Sequence, residues 1–148
     1  MGKNRFFHWI GLFIIFGFSI QNNPQRVAFS TLMNLSFEEV YNSEKEKWEY
    51  LPEFPEEVIK LDQQEVYIKG YVIPVDLSGD LFALSAYPFS SCFFCGGAGP
   101  ESVIGLKMES SSRYTTDQIV TFTGVLSISN KYESEFFYTL ENAKEYKP

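Results

Sequence analysis

Apolar and polar positions follow several different rhythms along this chain. From Phe6 to Ile20 the residues are apolar almost without a break, interrupted by His8, glycines and Ser19. Residues 20–36 are polar at first and show no period, which predicts a linker. Between Phe37 and Leu51 the apolar residues Phe37, Val40, Tyr41, Trp48 and Leu51 fall near one face at helical spacing. Ser36 with Glu39 three residues on has the spacing of a capping box, and Pro52 and Pro55 would stop the helix. On this reading Trp48 is a core anchor that docks the helix on a sheet.

Beyond Pro55 the spacing shortens to two. Alternation predicts strands at 57–61, 65–73, 81–84, 102–108, 118–128 and 135–140, with a last helical turn at 141–146. In the clearest of these, Val66, Ile68, Gly70 and Val72 form one face, and Tyr67, Lys69 and Tyr71 form the other. Gly70 and Gly124 sit in the middle of the two long strands, where a bulge or a close backbone approach is expected. Such bends are what a small sheet needs to close. The predicted fold is mainly β: a five-stranded barrel of the OB type, with an N-terminal helix. A two-sheet β-sandwich is the alternative. Residues 37–148 are read as a single domain, in keeping with a chain of 148 residues.

The leading segment has a short basic head, Lys3 and Arg5, then the apolar run, then polar residues. That is the layout of a secretory signal peptide, over residues 1–19 with cleavage near Ser19. The run is short for a membrane span, which needs about 20 residues. The alternative is an uncleaved anchor. Cleavage would remove His8, the single histidine, and two of the 12 basic residues, and would leave no stable span. A mature chain without imidazole has no Ser-His-Asp or Cys-His nucleophile and no histidine-based zinc site. The formal net charge is −7, and no basic stripe exists beyond the first five residues, so nucleic acid is not an expected partner. Adjacent acids such as Glu38-Glu39 and Glu56-Glu57 read as solvated surface rather than as a glycosidase pair.

The candidate chemistry lies in Ser90-Ser91-Cys92-Phe93-Phe94-Cys95-Gly96-Gly97-Ala98-Gly99-Pro100-Glu101, which holds both cysteines of the chain. Three readings fit the spacing. A redox pair wants the first thiol at a helix N-terminus, and the glycines and proline after Cys95 oppose a helix. A soft metal, zinc or copper, could be gripped by Cys92 and Cys95 with Glu101 as the nearest further ligand; Asp76, Asp80 and Met108 are the other donors available. A disulfide between Cys92 and Cys95, formed in an oxidising compartment, would close a very small ring and mainly shape the loop. Phe93 and Phe94 are then a plug in the barrel mouth or an exposed contact. Tyr71, Pro74 and Pro100 are the expected neighbours of this loop.

Two of these features together resemble a known family. They are the strand motif Gly70-Tyr71-Val72-Ile73-Pro74 and the Ser91-Cys92-x-x-Cys95 loop with its small residues and Pro100, preceded by a tryptophan-bearing segment. The combination is similar to an uncharacterised group of small exported bacterial proteins, described as a domain of unknown function. The resemblance covers about sixty central residues, Trp48 to Met108. It implies export to the periplasm or cell envelope and an accessory role, in some members linked with transporters, without an established reaction. The expected function is therefore an envelope binding protein, associated with a metal or a transporter component and acting through the cysteine loop. A thiol-disulfide oxidoreductase, or an interaction module with an inert disulfide, is the alternative.

Overall fold

The computed structural model describes residues 23–76, 81–110, 113–130 and 135–148. The expected signal segment and Asp80 lie outside the described residues. Among the described residues the strands and α-helices are, in order, β1 (Gln25–Arg26), α1 (Phe29–Leu32), β2 (Ser36–Asn42), β3 (Lys47–Glu53), α2 (Glu56–Ile59), β4 (Glu65–Pro74), β5 (Phe82–Ser85), β6 (Val103–Met108), β7 (Ile119–Ile128) and β8 (Tyr138–Glu145).

The sheet runs β1-β4-β5-β6-β8-β7, and β7 returns to pair with β4. Strands β4 to β8 thus close a five-stranded barrel, with β6 and β8 parallel and the other barrel pairs antiparallel. This is the predicted OB-type barrel, not a sandwich. Closure works because alternate residues of each strand are apolar. Val66, Ile68 and Val72 of β4 meet Phe122 and Leu126 of β7, Leu84 of β5, Ile104 of β6 and Leu140 of β8 in one interior. Gly70 belongs to the inward row of β4, and a Cβ there would lie 2.6 Å from the Ser85 carbonyl oxygen and 2.8 Å from the Phe29 ring. The missing side chain is what lets Phe29 of α1 and strand β5 approach together. At Gly124 the β7–β8 register slips between Thr123 and Val125, the bend its position predicts.

Four expectations are corrected. The helix over 37–51 is instead an antiparallel hairpin, β2–β3, with Tyr41 opposite Trp48 and Glu39 opposite Tyr50. Trp48 is no core anchor: it is 61% exposed. The strand over 57–61 is mostly the short helix α2, which follows Pro55 at the N-cap and is favoured by Glu56 and Glu57 in its first turn. The last helical turn at 141–146 is the continuation of β8. In addition, part of the stretch read as a linker packs into the barrel. Val27 and Leu32 are buried in its core, Val27 N–H donates to the Tyr67 carbonyl at 3.0 Å, and the Tyr138 hydroxyl donates to the Leu32 carbonyl at 2.7 Å.

Candidate functional site

The loop from β5 to β6 is built from three successive 3₁₀ turns, Phe89–Ser91, Phe93–Cys95 and Pro100–Ser102. Backbone bonds wind it around Cys92, whose carbonyl accepts from Cys95 N–H at 3.2 Å and Gly97 N–H at 3.1 Å. Gly96 takes φ +72°, a left-handed turn that glycine enters without penalty. Gly97 lies against Ser91, where a Cβ would be 2.7 Å from the Ser91 carbonyl oxygen. Two further bonds pin the loop: Phe89 N–H to Asp117 Oδ1 at 2.7 Å, and Ser102 Oγ to the Gly99 carbonyl at 2.6 Å.

Within this frame the thiols are unequal. Cys92 is fully buried, and Cys95 is exposed. Both are free thiols in this structure. Local desolvation pushes the Cys95 thiol up, reinforced by the neighbouring Cys92 and a hydrogen bond between the two. A raised pKa favours the thiol form of Cys95, the second cysteine of the pair.

Glu101 does not complete a donor set with the cysteines. Its carboxylate folds back over Gly99, and its charge reaches the buried Tyr138 hydroxyl. Among the described residues no group of three or more His, Cys, Asp or Glu side chains converges to hold a metal ion. Asp76 accepts from Leu81 N–H at 3.1 Å, and Met108 ends β6 at the far side from the loop. Tyr71 lies opposite Ser85, the last residue of β5, after which the loop departs. Pro74 does not neighbour that point: it pairs with Phe82 at the other end of β5, three residues or about 10 Å away along the strand.

The loop's aromatic pair has a clear place. Phe93 is half-buried and packs on a small cluster of Ala83, Val103 and Phe136 outside the barrel interior. Phe94 is 39% exposed and leans edge-on against Phe136 at 6.4 Å between ring centroids. Phe93 and Pro100 form one wall of an apolar pocket of about 500 Å³. The hairpin supplies the facing wall with Phe37, Tyr50 and Leu51, and Glu135, Phe136 and Phe137 close it. Phe137 meets Phe37 at 6.1 Å and Phe54 at 6.5 Å, so the hairpin is tied to the barrel through aromatic contacts. Glu135 is the one charged group of this lining. A second cavity of about 340 Å³ also touches Glu135 and Phe136, but its charges Lys107 and Glu141 satisfy each other at 2.8 Å. Sequence reasoning found Phe93 and Pro100 and missed Phe37, Tyr50, Phe136 and Phe137. Their signal was the density of aromatic residues on both flanks of the barrel strands.

No protein-family model matches the chain, and no curated protein matches it. A solved structure is similar: a DUF3299 family protein from Pseudomonas aeruginosa PAO1, at 15% identity and a TM-score of 0.53, covering 86% of this chain and 99% of that one. The chain shares its fold with a DUF3299 protein. At that identity the likeness carries the barrel and its additions, and no site residue. It agrees with the sequence resemblance to a domain of unknown function.

Proposed function

We propose that this chain is an exported accessory protein of the DUF3299 type that works by binding, with the apolar pocket between hairpin and cysteine loop as its site. The observation that carries this reading is the pocket: about 500 Å³, walled by phenylalanines and a tyrosine, with a single carboxylate at Glu135. A concave, mostly apolar space with few polar groups suits an apolar side chain or a small apolar molecule. Export is supported by the basic head and apolar run of residues 1–20 and by the family resemblance. In this reading Cys92 anchors the loop from the inside, and Cys95 closes it as a hydrogen-bonded partner. Among the described residues no third donor of the His, Cys, Asp or Glu type gathers with the two thiols, and a zinc or copper site is not carried forward.

The test is titration of the full chain with Nile red, an uncharged apolar dye. Pocket binding should weaken at least tenfold in Phe93→Ala, since burying a phenylalanine ring against a ligand contributes about 1.5–3 kcal/mol. Phe37→Arg, which sets a cation in the opposite wall, should weaken it as well. Comparing variants separates the pocket from dye taken up by the apolar leading segment. Equal affinity in wild type and both variants, with far-UV circular dichroism unchanged, would refute the reading.

A further inference from the structure

The hairpin β2–β3 is a two-stranded sheet of its own. Alternation places Phe37, Glu39, Tyr41, Trp48 and Tyr50 on one face. That face is open: Phe37 is 42%, Tyr41 50%, Trp48 61% and Tyr50 62% exposed. It is also ordered. Tyr41 and Trp48 meet edge-on at 5.3 Å, and the Tyr50 hydroxyl donates to Glu39 at 3.2 Å. The opposite face is occupied internally. There Glu49 accepts from Asn42 at 3.1 Å and stands 3.6 Å from both Lys45 and Lys47, which shield it. Lys45 and Lys47 stand beside Glu49, and the charge on the aromatic face is Glu39, with Glu44 and Glu46 exposed at the tip and Glu38 and Glu53 exposed on the other face. Each strand also has an outer edge with no strand beside it among the described residues. A two-stranded ribbon with a bare aromatic face is marginal alone, and contiguous apolar patches on a monomer mark contact sites.

We propose that this face and its free edge dock an extended, basic peptide segment of a partner protein. Charge selects the occupant. A second copy would set Glu39 and the tip glutamates against their own copies, and anionic lipid or nucleic acid would meet a chain of formal charge −7. A lysine- or arginine-bearing strand meets Glu39 and lays its cations over Trp48 and Tyr41. Its backbone pairs with the hairpin edge. The proposal rests on the binding reading above for its orientation. Phe37 and Tyr50 belong both to this face and to the pocket. A segment lying along the hairpin delivers its next apolar side chain into that pocket. Tyr41 is four steps along the strand from Phe37, about 13 Å, so a segment of roughly five to seven residues spans both.

The experiment uses the full chain and a fluorescein-labelled seven-residue peptide of alternating lysine and valine that ends in phenylalanine, read by anisotropy. Its counterpart carries glutamate in place of lysine. The basic peptide should bind saturably and the acidic one at least tenfold more weakly. Affinity should fall at least tenfold in Trp48→Ala and in Tyr41→Ala, be largely kept in Trp48→Phe, and weaken with added salt. Nile red binding should be unchanged in Trp48→Ala and Tyr41→Ala, which separates the two sites. If Phe93→Ala leaves Nile red binding untouched while Trp48→Ala still loses the peptide, the pocket reading fails and the docking face stands. Equal binding of both peptides, or undiminished binding in both alanine variants, overturns the docking face. So does uptake by neutral lipid vesicles that the basic peptide cannot displace.

Discussion

Tyr138 joins the barrel to the segment in front of it, and that joint can be tested in isolation. Its ring is fully buried, and its hydroxyl donates to the carbonyl of Leu32, the last residue of α1, at 2.7 Å. Tyr138→Phe keeps the ring and removes one oxygen. It leaves the Leu32 carbonyl without this donor in the interior, which costs about 1–3 kcal/mol. For a chain of this size that is a fall in Tm of roughly 2–10 °C. The pH dependence gives a second, independent reading. Burial, and after it the charge of Glu101, raise the Tyr138 pKa far above its ordinary value of 10.0. In the unfolded chain the group ionises near 10. Because the folded value is the raised one, its contribution is complete below pH 10 and is lost as pH climbs toward the folded value. The loss amounts to about 1.4 kcal/mol by pH 11. Other tyrosines and the lysines titrate alike in both proteins and cancel in the difference. Urea unfolding at pH 7, 9 and 11 should therefore show wild type ahead of Tyr138→Phe at pH 7 and 9, with the lead narrowing at pH 11. Equal stabilities at pH 7, or a lead that stays constant to pH 11, would refute the joint.

Two further outcomes follow from the same geometry. Under native conditions a thiol reagent should titrate one cysteine quickly, Cys95, with Cys92 reacting only on unfolding; two fast thiols, or a fast thiol left in Cys95→Ser, would contradict the burial of Cys92. Gly70→Ala should destabilise more than Gly105→Ala in urea. The new methyl at 70 meets a backbone carbonyl at 2.6 Å, whereas at 105 it meets the Phe136 ring at 2.5 Å, which can turn aside; overpacking costs about 1–3 kcal/mol. The reverse order would mean that Phe136 is held more rigidly than strand β5.

The barrel was legible where strands keep strict alternation. β4 and β7 run ten residues each with inward apolar rows, and their central glycines point to closure. Reading failed where local chemistry breaks the pattern. In β8 the inward residues are Tyr138, Leu140 and then Ala143, a step of three. The step arises because Asn142 takes φ 52° and the register slips beside it, so ENAKEY loses its period of two. The hairpin was harder. Phe37, Val40, Tyr41, Trp48 and Leu51 fit a helical face, yet Phe37, Glu39 and Tyr41 alternate just as well. Short hairpins usually announce themselves with glycine. Here the turn is made by Asn42, whose Oδ1 accepts from Glu44 and Lys45 N–H at 3.0 and 3.1 Å, and by Glu46 in a left-handed conformation at φ 51°. A tip without glycine looks like the charged middle of a helix.

The same failure hid the site. The cysteine loop could be found from sequence because its motif is local. What faces it could not, because the facing wall comes from two places far away in the chain. One is the misread hairpin. The other is Phe136-Phe137, brought beside the loop by the parallel pairing of β6 and β8, which matches Gly105 with Thr139. Parallel neighbours need a long connection, and here β7 fills it. Phe136 then crosses the outer face of β6 just where Gly105 leaves room for its ring. Phe93 packs on the cluster that holds Phe136, and Cys92, one residue earlier, is fully buried, with its carbonyl accepting the Cys95 and Gly97 N–H groups that wind the loop. The cysteine motif and the aromatic pocket are thus one construction: the buried thiol sets the loop, the loop sets Phe93, and Phe93 completes a wall begun forty residues later.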